Sequence, residues 1–199
     1  MKTKITTLFL AACLLALNGC NPTPAPKPSN TCQQCVDFEA PLTIGTKYGT
    51  PAGNHPGDVI FTTNSIPVSV YDIKLSSGST TFGNATIGMP PVPFGSNQTI
   101  NLNNINLKFD FTGLGFLPKE VQFEYLDQGA DQNLSVNGSP VYIGKLSAAP
   151  VSIGGVSITV YTAPLPNSSQ TKGVVILRGI VKEFIIGGQE FSIDQVCAK

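Results

Sequence analysis

The stretch Ile105-Asn106-Leu107-Lys108-Phe109-Asp110-Phe111-Thr112 sets an apolar side chain at every odd position and a polar one at every even position. Successive side chains of an extended chain point to opposite faces, so the octet predicts a strand with one core face and one wet face. Outward from it, Val121, Phe123 and Tyr125 alternate with Gln122 and Glu124 in the same way. Leu134-Ser135-Val136 and Val141-Tyr142-Ile143 flank Asn137-Gly138. That dipeptide suits a type I′ hairpin, in which both central residues take positive φ, with a four-residue loop from Asn137 to Pro140 as the alternative. Val156 to Tyr161 reads as a further strand, and the more continuously apolar runs Gly173 to Ile180 and Val181 to Ile186 read as strands covered on both sides. Gly187-Gly188 is expected to turn the chain into a last strand, Glu190 to Val196.

No segment sustains a 3.6-residue apolar period, so helix should be nearly absent. About ten short strands, joined by Gly, Pro and Asn turns, describe an all-β domain. The expected architecture is a two-sheet antiparallel β-sandwich or jelly roll with the N- and C-terminal strands adjacent, and a closed barrel is the runner-up.

The chain opens with two lysines, Lys2 and Lys4, and then runs apolar from Ile5 to Leu17. The run is shorter than the roughly 20 residues of a membrane-spanning helix and matches a cleaved export signal. It ends at Leu17-Asn18-Gly19-Cys20, which resembles the lipobox of bacterial lipoproteins. That resemblance implies a signal peptide over residues 1–19 and lipidation of Cys20, with acyl chains enough for stable attachment to a bilayer. Asn21, in place of the aspartate that retains such proteins at the inner membrane, favours the outer membrane. Residues 20–34 carry proline at alternate positions from Pro22 to Pro28 and read as an extended tether. Residues 35–199 form the single domain.

The 12 basic and 12 acidic residues balance, and loss of Lys2 and Lys4 with the signal leaves 10 against 12, a net charge near −2. With Arg178 as the only arginine and lysines scattered, nucleic acid is excluded as a partner. Of the five cysteines, Cys13 lies in the signal and Cys20 takes the lipid, leaving Cys32, Cys35 and Cys197. Adjacent first and last strands predict a Cys35–Cys197 disulfide in an oxidising exterior, with Cys32 as the alternative partner. Cys32-Gln33-Gln34-Cys35 is a poor redox motif because no helix N-terminus lowers its thiol pKa, and His55 with three cysteines makes a poor zinc set.

Val36 to Gly49, Pro56 to Phe61, Asn103 to Gly113, Val121 to Pro150 and Gly187 to Cys197 together resemble secreted β-sandwich proteins of cyanobacteria and related bacteria, a group without an established function. Phe38-Glu39 at the start and Ile193-Asp194 at the end are also similar to the ends of exported jelly-roll modules, distantly including carbohydrate-binding ones. The latter resemblance implies that Glu39 and Asp194 hold a structural calcium ion. If Cys35 faces Cys197, however, Glu39 falls opposite Ile193, so a bulge or bend is required.

Catalysis has few candidates. His55 is the one histidine and no GxSxG motif accompanies it. Glu120, Glu124, Asp127 and Asp131 are the carboxylates from which a glycosidase pair would come. Asp127 to Asn133 and Gly95 to Asn104 are expected to be amide-rich loops suited to sugar hydroxyls, with Tyr48, Tyr71, Tyr142 and Tyr161 as the aromatic candidates. These observations favour a non-catalytic, surface-tethered binding or adhesion module, with glycan or another envelope polymer as the expected ligand. The alternatives are a structural lipoprotein that contacts envelope proteins and a carboxylate-based hydrolase.

Overall fold

The computed structural model describes residues 34–90 and 92–199. The signal peptide, Cys20, the tether and Cys32 lie outside the described residues. Among the described residues there are fifteen strands: β1 (Gln34–Val36), β2 (Lys47–Gly49), β3 (Val59–Thr63), β4 (Ile66–Tyr71), β5 (Ile73–Lys74), β6 (Thr80–Thr81), β7 (Asn84–Gly88), β8 (Thr99–Asn103), β9 (Ile105–Asp110), β10 (Glu120–Val136), β11 (Tyr142–Gly144), β12 (Ser152–Ile153), β13 (Val156–Pro164), β14 (Thr171–Arg178) and β15 (Glu183–Ala198). The expectation of about ten strands was too low, because several short edge strands carry no alternation long enough to read. Helix is confined, among the described residues, to the 3₁₀ turns Thr50–Ala52 and Leu146–Ala148.

Thirteen strands form one antiparallel hydrogen-bonded network, and β5 pairs with β6 apart from it. The network is sandwich-like and does not close into a barrel. Its organisation follows from two long strands. From Glu183 to Gly188, β15 pairs with β9 on one side and with the last part of β10, Gln132 to Val136, on the other. Beyond Gly188 it pairs with β8 and then β1 on one side, and with the first part of β10 on the other. Register shifts between Asp127 and Gln132 mark the place where the pair bends. One half of the network runs β13-β14-β10-β15-β8-β7-β2 and the other β11-β10-β15-β9-β4-β3, with β10 and β15 belonging to both.

The Gly187-Gly188 turn does not exist, since β15 runs straight through the pair. Glycine stands at 187 because the strands approach closely: a Cβ there would lie 2.2 Å from the Ile105 carbonyl oxygen. By contrast Asn137 and Gly138 adopt φ of 52° and 72°, with Ser139 N–H donating to the Val136 carbonyl at 3.0 Å, as a type I′ turn requires.

The odd positions of the starting octet, Ile105, Leu107, Phe109 and Phe111, are fully buried. Phe184 stacks on Phe109, Phe123 and Phe111 at centroid distances of 4.9, 5.3 and 6.0 Å. Each such ring contributes about 1.5–3 kcal/mol by burial alone. Asn106, expected in water, is buried too, and its amide donates to the Asp72 carbonyl and to Asn133 Oδ1.

The terminal strands are adjacent. Cys35 is opposite Cys197 in the β1–β15 ladder, and the two are disulfide-bonded across 162 residues of chain.

Candidate functional site

Alternation in β7 and β8 builds a polar surface on the outer face of the sheet. Ala85 and Ile87, with Ile100 and Leu102, point into the core, so Asn84, Thr86, Asn101 and Asn103 point outward. Asn84 is opposite Asn103 and Thr86 opposite Asn101. Asn101 in turn faces Ser192 of β15, whose hydroxyl lies 2.6 Å from Asn101 Oδ1. Gln128 and Glu190 rise beside them at the bend of the long strands, and Met89 borders the far side. Asn84, Thr86, Met89, Asn101, Asn103, Gln128 and Glu190, with Leu102 and Phe191, line an open cleft of about 460 Å³. Its walls offer amide donors and acceptors, the Thr86 hydroxyl, one carboxylate and one thioether.

Next to the cleft the chain from Val92 to Gln98 crosses the outer face of β10, β14 and β15, held by three carboxylates. Glu124 Oε2 accepts the Gly95 N–H at 3.1 Å. Asp194 Oδ2 accepts the Ser96 N–H at 2.5 Å and its hydroxyl at 2.8 Å. Glu39 Oε1 accepts the N–H groups of Asn97 and Gln98, each at 2.9 Å. Lys172 Nζ adds a bond to the Pro93 carbonyl at 2.9 Å. Under this strap Leu126, Val174 and Ile176 are buried although they face away from the main core, and Phe94 is buried with them.

The environments of the three carboxylates differ. Asp194 has no solvent exposure, and burial pushes its carboxyl up to about 7 against the hydrogen bonds from Ser96 and Gln195. Burial likewise raises Glu124, opposed by the Gly95 amide and by Lys172. Glu39 lies below the usual carboxylate range because hydrogen bonds dominate, first from the Ser96 hydroxyl and then from the Gln98 amide. Ser96 thus lies between Asp194 and Glu39, with its hydroxyl donating to Asp194 Oδ2.

The structure brings together the two residues expected to hold calcium, and it resolves the parity problem. Buried Phe38 takes φ of 59° and swings Glu39 out of the β1 ladder. Gln195, at φ of 51°, is the extra residue of a β-bulge between the Gln122 and Glu124 pairings. What the carboxylates meet, however, is a row of N–H and O–H donors, whereas a calcium ion needs oxygens turned toward it. Among the described residues no group of three or more His, Cys, Asp or Glu side chains is placed to hold a metal ion. Glu39 and Asp194 therefore act on the strap.

The other acids also have structural partners. Glu120 pairs with Arg178 at 3.0 Å and Lys199 at 2.8 Å, Asp127 with Lys145 at 3.0 Å, and Asp131 accepts the Ser76 N–H at 2.8 Å. His55 is exposed, 3.8 Å from Asp58 Oδ2. Gly95 to Asn104 and Asp127 to Asn133 are not simply loops: Thr99–Asn103 is strand β8, and the second stretch lies wholly within β10. They nevertheless supply Asn101, Asn103 and Gln128 to the cleft, whereas none of Tyr48, Tyr71, Tyr142 and Tyr161 lines it. Asn84, Thr86 and Glu190 were missed. The alternation Asn84-Ala85-Thr86-Ile87 carries the signal for the first two.

No family model matches the chain, and comparison with curated proteins and with solved structures yields no match either. Among the described residues no helix is long and apolar enough to cross a membrane.

Proposed function

We propose that the protein is a non-catalytic binding module for polysaccharide, exported as a lipoprotein, anchored through Cys20 and facing the cell envelope from the outer membrane. The observation that carries this reading is the cleft on the β7–β8–β15 face. Sugar rings present vicinal hydroxyls that both donate and accept, and side-chain amides match such pairs. Asn84, Asn101, Asn103 and Gln128 supply four amides in one open trough, with Thr86 beside them and Met89 as an apolar contact. With Phe191, the aromatic residue of the lining, itself buried, affinity per sugar unit is low, and a polymer that engages the protein repeatedly is the fitting ligand. The distant likeness to jelly-roll carbohydrate-binding modules is in keeping with this reading, as are the adjacent terminal strands.

The test is saturation binding of the chain from residue 20 onward, with Cys20→Ala, to a panel of bacterial and algal polysaccharides. It is run with calcium and again with EDTA. Binding to one or more polymers, unchanged by EDTA and lost in Asn101→Ala/Asn103→Ala, is expected. Binding that survives the double substitution would remove the cleft from the explanation. Binding abolished by EDTA would return calcium to it.

A further inference from the structure

The chain joins the domain at a defined end. Gln34 is beside Ala198 in an antiparallel pair, so the polypeptide ahead of Gln34 meets the domain where β15 finishes. β10 begins and β14 ends at the same place, since Val121 is opposite both Leu177 and Ala198. The loops there are tied to one another: the N–H groups of Lys119 and Glu120 donate to the Lys199 carbonyl, Gly179 N–H to Lys119, and Val181 N–H to Pro118. Asn137 Nδ2 donates to the carbonyls of Ile180 and Gly154, drawing in the β12–β13 turn.

This end is apolar where water should be. Leu117 is 47 % exposed, Ile180 53 % and Val151 83 %, three of the six large apolar side chains left exposed among the described residues. Leu117 precedes Pro118, to which Val181 is bonded, so Leu117 and Ile180 belong to adjoining loops, with Val151 at the sheet edge bonded to Ile158. Around them stand Lys119, Arg178, Lys182 and Lys199. Glu120 is shared between Arg178 and Lys199, and Glu183 is engaged by Lys108. A chain whose net charge is near −2 from residue 20 onward, 10 basic against 12 acidic residues, thus gathers four of its ten cationic side chains at one end.

We propose that this end is a membrane-docking face, with Leu117 and Ile180 entering the headgroup boundary of an anionic bilayer and Lys119 and Lys182 meeting lipid phosphates. Apolar side chains ringed by lysines are the combination that binds a lipid surface in the interfacial plane, the apolar part by burial and the basic part by attraction to anionic headgroups. Position as well as chemistry points to a bilayer. The segment that holds Cys20 enters here, so an anchored domain presents this end to its own membrane. The cleft lies several residues further along β15, at Glu190 and Phe191, and is left open to the other side. The choice of a bilayer as partner rests on the lipoprotein reading, whereas binding by the face itself is measured without acylation and without the cleft's ligand.

The experiment measures co-sedimentation of the chain from residue 20 onward, with Cys20→Ala so that no acyl chain is attached. Vesicles of mixed phosphatidylethanolamine and phosphatidylglycerol are compared with vesicles of phosphatidylcholine alone. Partition into the anionic vesicles that weakens with salt is expected, with a loss of about tenfold in Leu117→Asp/Ile180→Asp. Lys119→Glu/Lys182→Glu should abolish the preference for phosphatidylglycerol, while Val59→Asp, on another face, leaves binding unchanged. Circular dichroism and thermal midpoints establish that each variant is folded. No partition of the parent chain, or equal partition of the Leu117→Asp/Ile180→Asp variant, overturns the proposal. So does sedimentation velocity showing that these substitutions dissolve a dimer instead.

Discussion

Glu124 and Asp194 are cross-strand partners in the β10–β15 ladder, and they grip consecutive residues of the strap, Gly95 and Ser96. Gly95 is fixed twice over, by a φ of 63° and by a Cβ that would lie 2.2 Å from Asp194 Oδ2. Gly95→Ala should therefore lift the strap and destabilise the fold by about 1–3 kcal/mol, the cost of strain plus unsatisfied buried acceptors. The urea midpoint reports the loss, and faster amide exchange at Ser96, Asn97 and Gln98 reports its location. An unchanged midpoint would mean that the strap contributes no stability.

The buried carboxyl of Asp194 sets a pH dependence. Its pKa is raised from 3.8 to about 7 in the fold, so between those values the native state binds more protons than the unfolded chain. Stability should fall as pH rises through that interval. Glu39 and Glu120 act the other way: their pKa values are lowered, by the Ser96 and Gln98 hydrogen bonds for Glu39 and by the Lys199 and Arg178 partners that outweigh burial for Glu120. Their contribution is complete above the ordinary glutamate range and is lost as pH falls through the depressed values. Unfolding midpoints at a series of pH values should show the decline toward neutrality in the parent chain and a much flatter profile in Asp194→Asn. Parallel profiles would remove Asp194 as the cause.

Replacing both Cys35 and Cys197 by alanine should cost about 2–5 kcal/mol, as expected for a cross-link that closes a long loop. The structure pairs these residues directly, so Cys32→Ala should leave disulfide content and stability unchanged. Thiol counting in denaturant after each substitution distinguishes the two outcomes, and one bond surviving in Cys35→Ala would show that Cys32 can replace it.

Asn133 carries a buried polar junction. Its Oδ1 accepts the Lys74 N–H at 2.7 Å and its Nδ2 donates to the Lys74 carbonyl at 2.8 Å, so one side chain stands in for a neighbouring strand along β5. Asn133→Ala should cost about 1–3 kcal/mol, since the Lys74 groups lose both partners. Hydrogen exchange should rise first around Ile73 and Lys74. Uniform exchange across the sheet would instead indicate global loosening.

The periodic parts of the fold were legible in the sequence because alternation and turn chemistry are local. The odd positions of Ile105 to Phe111 and of Val121 to Tyr125 are buried as their alternation requires, and Asn137-Gly138 forms its turn. The Cys35–Cys197 bond followed from the expectation that the terminal strands adjoin. What escaped was governed by strands distant in sequence. Gly187 reads as a turn residue, yet it is glycine because β9 passes too close for a side chain. Asn106 reads as exposed, yet it is buried against Asn133, 27 residues away. At the cleft, the amide-rich stretch around Asn101 and Asn103 was visible, but its partners Asn84, Thr86 and Glu190 come from other strands. Glu39 and Asp194 were singled out as a pair through a resemblance, and their hydrogen bonds to Ser96, Asn97 and Gln98 give that pairing a different purpose.

The disulfide also determines how the domain meets mechanical force. A pull on the chain ahead of Gln34 reaches Cys35 within one residue and passes through sulfur into Cys197 of β15. Without the bond, the three rungs of β1 would carry the load alone. Drawn at Cys197 along its own axis, β15 is instead loaded in shear, because the ladder bonds of an antiparallel pair lie across the strands. The pairs from Val121↔Ala198 to Asp127↔Phe191, ahead of the bend, then share the strain together. A domain held by its N-terminal segment against flow would thus be gripped at one of its two longest strands.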